Sequence, residues 1–155
     1  MSSSKSAEPA GRTGTVRYWD SSAIIPLIVA EAASGRMSEI HAADPAVATW
    51  WGTPIECVSA LARLERDGSL TAAGLGSSIA RIRGAVLSWA EVGPSDDVRE
   101  QAIRLLRVHQ LRAADAIQLA AAIVAAGFQA GTLEFVTLDR NQAAAADKEG
   151  FQVIA

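Results

Sequence analysis

Short segments with strand character alternate with longer helical segments along this chain, and that alternation narrows the folds open to it. The segments with strand character are 16–19, 46–49, 87–92, 134–138 and 151–154. A helix is predicted from about residue 23, followed by helices at 34–43, 53–67, 69–87, 96–109, 112–126 and 140–149. Strands that alternate with helices at this spacing favour a parallel sheet covered on both faces. We therefore predict a three-layer α/β/α fold with a short, mainly parallel sheet flanked by helices.

The chain has 155 residues, the size of one domain, and half of them are hydrophobic. Residues 15–155 are predicted to form this domain, without an internal repeat. Residues 1–14 are rich in Ser, Gly, Ala and Pro and lack the apolar centre of a signal peptide, so a disordered tail is predicted there. No run approaches the roughly 18 apolar residues of a membrane span. The lone Cys57 excludes an internal disulfide, and we expect a cytoplasmic protein without membrane contact.

The net charge of −3 argues at first against a nucleic-acid partner, because phosphate binding depends on Lys and Arg. The balance of charges changes if four of the 17 carboxylates share one cation site, because 13 acidic residues then remain against 14 basic ones. Twelve of the basic residues are arginine, whose guanidinium can grip a phosphate through two hydrogen bonds. A coding bias toward Arg and Ala explains the same composition equally well, so charge alone does not identify the partner.

Two aspartates stand directly after predicted strands. Asp20 follows the segment 16–19, and Asp139 follows the segment 134–138. Ligands of open α/β sheets gather beyond the carboxyl ends of the strands, which favours a site at these positions. Both aspartates also precede a predicted helix, and Asp is a favoured N-cap residue. Taken singly, each is better explained as a helix cap.

The carboxylate of Glu56 has an equally plain structural explanation. The segment 53–56, Thr-Pro-Ile-Glu, matches a capping box. In that motif the Glu at the third helical position reaches back to the backbone of the Thr. Taken alone, Glu56 is therefore predicted to be a capping residue.

Asp115 is harder to explain by structure alone. It lies in the apolar helix 112–126, with Leu111 four residues before it and Leu119 four residues after it. These positions share one face, so we expect Asp115 on the stripe that the helix buries. A carboxylate buried without a partner is strongly unfavourable. It needs either a metal ion or Arg112, and the metal ion is favoured because Arg112 would lie toward the helix end and solvent.

These carboxylates are more informative together than singly. Brought together without a cation, they would repel one another and some would take up protons. Mg²⁺ or Mn²⁺ would make the cluster favourable, because these hard cations prefer oxygen ligands. His41 and His109 lie on other predicted helices, and we do not expect them to be ligands. We predict an acidic pocket for divalent cations formed by Asp20, Glu56, Asp115 and Asp139.

Four segments resemble the successive motifs of a PIN domain, in the same order and at matching spacing. They are Trp-Asp-Ser-Ser-Ala at 19–23, Thr-Pro-Ile-Glu at 53–56, Leu-Arg-Ala-Ala-Asp-Ala at 111–116 and Val-Thr-Leu-Asp at 136–139. The ending, 143–154, also resembles the closing helix and strand of that family, so the resemblance covers nearly the whole chain from Val16 onward. Within the family, the chain is similar to the VapC-type toxins of bacterial toxin–antitoxin pairs.

This resemblance implies an endoribonuclease that hydrolyses RNA phosphodiester bonds with the help of Mg²⁺ or Mn²⁺. It also implies a homodimer, held inactive by a small antitoxin whose tail enters the active-site groove. The catalytic and metal-binding residues would be Asp20, Glu56, Asp115 and Asp139.

Supporting and RNA-binding groups complete this hypothesis. Ser21 or Ser22, together with Thr137, would supply supporting hydroxyls. Arg112 and Arg140 are the arginines nearest to the motifs in sequence and are the candidates for binding RNA phosphates. Trp51 could stack on a base, although a buried tryptophan is the favoured interpretation.

Two alternatives keep the acidic pocket but change its use. A catalytically inactive PIN scaffold would serve as a protein-binding module, although the presence of all four acids argues against it. A receiver-like phosphoacceptor would require adjacent acids after the first strand, but Trp19 precedes Asp20. The nuclease is therefore the favoured hypothesis.

Overall fold

A computed structural model describes residues 16–155, so the predicted tail at 1–14 lies outside the described residues. The strands are β1 (Arg17–Trp19), β2 (Val47–Trp50), β3 (Ala90–Val92), β4 (Glu134–Val136) and β5 (Gln152–Ile154). The helices are α1 (Ser21–Ile28), α2 (Ser34–Ala43), α3 (Thr53–Arg66), α4 (Ala72–Val86), α5 (Asp96–Val108), α6 (Ala113–Ala125) and α7 (Arg140–Lys148). A single 3-10 turn, Ala130–Thr132, precedes β4.

The strands form one five-stranded parallel sheet in the order β3-β2-β1-β4-β5. Its centre is β1, where Tyr18 lies beside Ala48 of β2 on one side and Phe135 of β4 on the other. The strands are only three or four residues long, which matches the short sheet predicted from the sequence.

Neighbouring residues of each central strand point to opposite faces of the sheet, as the two-residue period of a strand requires. Tyr18 and Phe135 face a core built with α5, α6 and α7. Trp19 and Val136 face a second core built with α1, α2, α3 and α4. Both faces are therefore covered by helices, and the predicted three-layer α/β/α arrangement is confirmed.

Most element boundaries agree with the sequence-based predictions, and the exceptions have local causes. The helix α4 begins at Ala72 instead of residue 69, because the Thr71 hydroxyl accepts a hydrogen bond from the Gly74 N–H and caps it there. The strand β3 begins at Ala90 instead of residue 87, because a turn follows α4 and leaves Leu87 89% exposed. Residues 137 and 138 also leave the predicted strand, since β4 ends at Val136.

The sheet reverses its winding direction between β1 and β4. The helix that follows β1 packs on one face, whereas the helix that follows β4 packs on the other. The chain segments at the carboxyl ends of β1 and β4 stay close together, because the Asp20 N–H donates to the Val136 carbonyl at 3.2 Å. A crevice at such a reversal is the usual ligand site of an open α/β sheet.

None of the helices within residues 16–155 is both long and apolar enough to cross a membrane.

The aromatic centre of the sheet is expected to carry much of the stability. Phe135 is fully buried, with ring centroids 5.3 Å from Tyr18 and 5.6 Å from Phe151. Phe135→Ala should lower the free energy of unfolding by about 3–5 kcal/mol, because a cavity replaces the ring. Chemical denaturation would measure this loss. The exposed Leu87→Ala is the control and should change the free energy by less than about 0.5 kcal/mol; equal effects of the two substitutions would contradict the core described above.

Candidate functional site

Asp20 lies at the carboxyl end of β1 and is only 1% exposed. Its Oδ1 accepts hydrogen bonds from the Ala23 N–H at 3.2 Å and from the Ser22 hydroxyl at 2.7 Å. Its Oδ2 accepts one from the Thr137 hydroxyl at 2.8 Å. Asp20 is therefore the N-cap of α1, as the sequence predicted, and its carboxylate lies in the crevice between β1 and β4.

The hydroxyls around Asp20 join the segments that follow the two central strands. The buried Thr137 hydroxyl accepts the Asp139 N–H at 3.0 Å while donating to Asp20. The Ser22 hydroxyl accepts the Leu138 N–H at 2.9 Å. Of the two serines considered from the sequence, Ser22 contacts Asp20, whereas the Ser21 hydroxyl reaches Glu56 Oε1 at 3.4 Å.

Asp139 is the N-cap of α7 and is partly exposed. Its Oδ1 accepts the Gln142 N–H at 2.8 Å, so the predicted capping role is again present. The buried Gln142 side chain also donates to the Asp115 carbonyl at 3.1 Å. One residue thereby fixes the start of α7 against the first turn of α6.

Glu56 is not part of a capping box, so that prediction was wrong. Gly52 occupies the N-cap position of α3 and provides no side-chain cap, which puts Thr53 inside the helix. The Thr53 hydroxyl is buried and bonds to the Thr49 hydroxyl at 2.7 Å instead of to the helix backbone. Glu56 Oε2 accepts the Gln118 side-chain N–H at 2.7 Å. The carboxylate is therefore directed toward the other site residues.

Asp115 lies in the first turn of α6 and is only partly buried, so its expected place on the buried stripe was wrong. The helix begins at Ala113, which leaves Leu111 outside it and brings position 115 to the rim of the sheet. Among residues 16–155, no ion pair within 4.0 Å joins Arg112 to Asp115. The ion-pair alternative for Asp115 is therefore excluded in this structure.

A groove of about 640 Å³ opens beside Asp115 and Asp139. Arg112 lines this groove, whereas Arg140 is exposed outside its lining. The amide side chains that also line it belong to Gln110 and Asn141. Asp20 and Glu56 are not among the residues that line this groove.

The four carboxylates are linked by mutual repulsion. Burial raises the pKa of Asp20 to about 7 in spite of its three hydrogen bonds, and the charge of Asp139 adds to the rise. Burial, followed by repulsion from Asp139, also raises the pKa of Asp115, against the opposing charge of Arg112. The pKa of Glu56 is raised by burial and, to a smaller extent, by Asp115. Repulsion therefore couples Asp139 to Asp20 and to Asp115, and couples Asp115 to Glu56.

The donor set consists of oxygen atoms, which suits a hard divalent cation. Within residues 16–155, no three acidic, histidine or cysteine side chains are arranged so that they could hold one ion by themselves. Mg²⁺ is usually bound through one or two carboxylates and keeps several waters, so a cation held here would have to be partly hydrated. His41 packs edge-on to Trp19 with 6.0 Å between ring centroids, and His109 Nε2 lies 3.6 Å from Glu149.

Sequence reasoning missed the neutral polar side chains that hold the acids. The signal for Gln118 was present, because it interrupts an otherwise apolar helix three residues after Asp115. Gln142 carried no such signal, because its neighbours in α7 are polar or small. The expectation that Trp51 is buried was also wrong, since its side chain is 54% exposed in the turn between β2 and α3.

Comparisons with known proteins agree with this fold. No protein-family model matches the sequence, and no curated protein matches it either. Among solved structures, a chain of a toxin–antitoxin complex from Klebsiella pneumoniae is similar, with a TM-score of 0.59, 18% identity and coverage of 90% of this chain and 96% of that one. PAE2754 from Pyrobaculum aerophilum is similar with a TM-score of 0.58, 23% identity and coverage of 84% and 85%. These likenesses are consistent with the PIN-like fold expected from the motifs.

Asp20 should make the stability of the metal-free protein depend on pH. Because its pKa rises from 3.8 to about 7 on folding, the folded protein keeps a proton between these values that the unfolded chain releases. The free energy of unfolding should therefore fall as the pH rises through this range, by up to about 1.4 kcal/mol per pH unit. In the Asp20→Asn variant this side chain cannot titrate, so its part of the dependence of the unfolding free energy on pH should disappear. Urea denaturation in EDTA at several pH values measures both profiles, and parallel profiles would contradict the burial effect.

Proposed function

We propose that this protein is an Mg²⁺- or Mn²⁺-dependent endoribonuclease that acts as the toxin of a toxin–antitoxin pair. The observation that carries the proposal is the placement of Asp20 and Asp139 after the central strands β1 and β4, with Asp115 and Asp139 lining one groove. Burial raises the pKa of Asp20 and of Asp115, and repulsion from Asp139 adds to the rise. Carboxylates that repel one another in this way are stabilised by a cation. The presence of all four acids favours an active site over the inactive-scaffold alternative.

Each acid has a distinct role in this proposal. Asp20 is held rigidly by its hydroxyl and backbone donors, so it is the fixed ligand of the site. Asp115 and Asp139 face the groove and would hold the cation on the side from which substrate arrives. Glu56 completes the set from α3, where Gln118 of α6 donates a hydrogen bond to it. When bound, the divalent cation would acidify water and offset the negative charge that develops during phosphodiester hydrolysis.

The groove beside the acids provides a path for an RNA strand. Arg112 is exposed on its wall and would contact a phosphate, while Arg140 at the start of α7 would contact the strand further out. The bound cation would also offset the repulsion between the acidic site and the substrate backbone. The choice of RNA as substrate follows from the PIN resemblance of the motifs.

The biological setting of the proposal follows from the same resemblance and from one structural likeness. A chain of the Klebsiella pneumoniae toxin–antitoxin complex matches this chain along 96% of its own length. By analogy, we propose a small antitoxin protein as the partner of this chain, a homodimer as its assembly and the cytoplasm as its location. The antitoxin would inhibit the enzyme by covering the groove at Asp115 and Asp139.

Loss of one groove-facing acid tests the proposed activity. Asp115→Asn keeps the size of the side chain but removes a charged ligand, so RNA cleavage should fall by at least about a hundredfold, an effect of about 2.7 kcal/mol on the transition state. In a bacterial host without an antitoxin, wild-type expression should stop growth and degrade RNA, whereas the variant should permit growth. Purified wild type should lose activity in EDTA and regain it with Mg²⁺ or Mn²⁺.

The matched control is Glu39→Gln, which removes an exposed carboxylate from α2, away from the site. This variant should remain as toxic as the wild type. Normal growth and intact RNA under wild-type expression, or full activity of purified enzyme in EDTA, would overturn the proposed function.

Arg112 should affect substrate binding more than the chemical step. Arg112→Ala removes a charge from the groove wall, so KM for a single-stranded RNA should rise by about tenfold, the equivalent of one charge-assisted contact of about 1.4 kcal/mol. The dependence of binding on salt should weaken, because fewer counterions are released. Steady-state kinetics at several salt concentrations measure both effects. Arg36→Ala on the exposed surface of α2 serves as the control, and equal KM values for the two variants would exclude Arg112 from RNA binding.

A further inference from the structure

Gln118 is a polar side chain buried inside the apolar part of α6. It is 1% exposed and lies between the buried residues Ala116 and Leu119 of the core beside α5. An amide removed from water is unfavourable unless its donors and acceptor are all paired. Its hydrogen-bond partners therefore explain why this position is polar.

The Gln118 amide is fully paired, and its three partners belong to two other elements, β1 and α3. The Tyr18 hydroxyl donates to Oε1 at 2.6 Å. The amide nitrogen, Nε2, donates to Glu56 Oε2 at 2.7 Å and to the Thr53 hydroxyl at 2.9 Å. The only other side-chain hydrogen bond of Glu56 within the described residues is the long one from Ser21, at 3.4 Å.

The direction of these hydrogen bonds is fixed by the available hydrogens. The Thr49 hydroxyl has one hydrogen and donates it to the Trp19 carbonyl at 2.7 Å. The Thr53 hydroxyl must therefore donate to Thr49 in their 2.7 Å contact, which leaves its lone pairs for Gln118. A flipped amide would turn its oxygen toward the Glu56 carboxylate and lose the bond to Thr53. The network thus permits only the orientation in which Nε2 faces Glu56.

We propose that Gln118 is a positioning residue that holds the Glu56 carboxylate in the acidic site, and that Tyr18 acts through Gln118 by anchoring its amide oxygen. Because Gln118 follows Asp115 by one helical turn, α6 carries both an acid and the group that holds a second acid. The separation of Glu56 from Asp115 is then set by one rigid turn of helix. This inference rests on the proposed function, because it concerns how that site is held.

Variants of the full-length protein separate a positioning role from a purely structural one. Gln118→Leu removes the amide at similar volume, and Gln118→Glu keeps the shape but directs an acid toward Glu56. In each, we measure Mn²⁺ affinity by titration calorimetry, kcat and KM on a single-stranded RNA, and the melting temperature. Supporting groups of metal ligands typically contribute 10- to 100-fold in affinity or activity. We therefore expect Gln118→Leu to weaken Mn²⁺ binding and lower kcat by about tenfold or more each, with KM changed less than about twofold, and Gln118→Glu to lose more.

Tyr18→Phe tests the second part of the proposal. It removes one hydroxyl and should lower kcat by a smaller factor, about threefold, because the amide oxygen then loses its hydrogen-bond donor and the amide is held less firmly. In the Gln118→Leu background the same change should have no further effect on kcat, since there is no amide to anchor. Independent losses in the double variant would overturn the role assigned to Tyr18.

The control for general destabilisation is Ile82→Ala, which removes buried volume in the other core, on α4. It should lower the melting temperature while Mn²⁺ affinity and kcat stay within about twofold of wild type, a difference of about 0.4 kcal/mol. If Gln118→Leu behaves in the same way, or if Gln118→Leu and Gln118→Glu both keep wild-type affinity and kcat, the positioning role is wrong while the proposed function stands. Should Gln118→Leu fail to fold, Gln118→Glu and Tyr18→Phe decide the outcome by the same measurements. A wild type that neither binds Mn²⁺ nor cleaves RNA would overturn both proposals together.

Discussion

The buried carboxylate of Asp20 connects the parts of this structure on which the candidate site depends. Its hydrogen bonds join the end of β1 to the start of α1 and, through Thr137, to the segment that follows β4. These are the segments between which the winding of the sheet reverses. A neutral side chain could cap α1 equally well. The capping role alone therefore does not explain why this position holds an acid that is 1% exposed and whose pKa is raised to about 7. Asp20 is therefore buried at the point where the winding of the sheet reverses, and Asp139 lies near enough for its charge to add to the raised pKa.

Two buried glutamines solve the problem of holding acids near one another without using positive charges. Gln118 donates to the Glu56 carboxylate, and Gln142 donates through its backbone to Asp139 and through its side chain to the Asp115 carbonyl. An arginine in either position would satisfy an acid with a charge and would compete with a metal ion. A neutral amide fixes the geometry and leaves the net negative charge of the site intact. The site therefore keeps its attraction for cations.

The order of strands and helices was predictable from the sequence, because it follows from hydrophobic periodicity, and so was the placement of Asp20 and Asp139 after the two central strands. The two site predictions that failed did so because a helix starts one or two residues away from the start expected from the sequence. The first turn of α3 begins after Gly52, so Thr53 faces the core instead of capping. The first turn of α6 begins at Ala113, so Asp115 lies at the groove instead of within the apolar stripe. The partners of Gln118 come from segments 65 and 100 residues away, and no local pattern predicts such contacts.

Leu138 stands between Thr137 and Asp139, and only its backbone takes part in holding the site, through its N–H to Ser22. Its side chain is 37% exposed, so it can be exchanged without disturbing the hydrogen bonds on either side of it. Mutation at this position is therefore free to alter the surface next to the acids while the acids stay in place. This position could therefore vary among related chains and change which ligands the groove accepts, while the acids keep their arrangement.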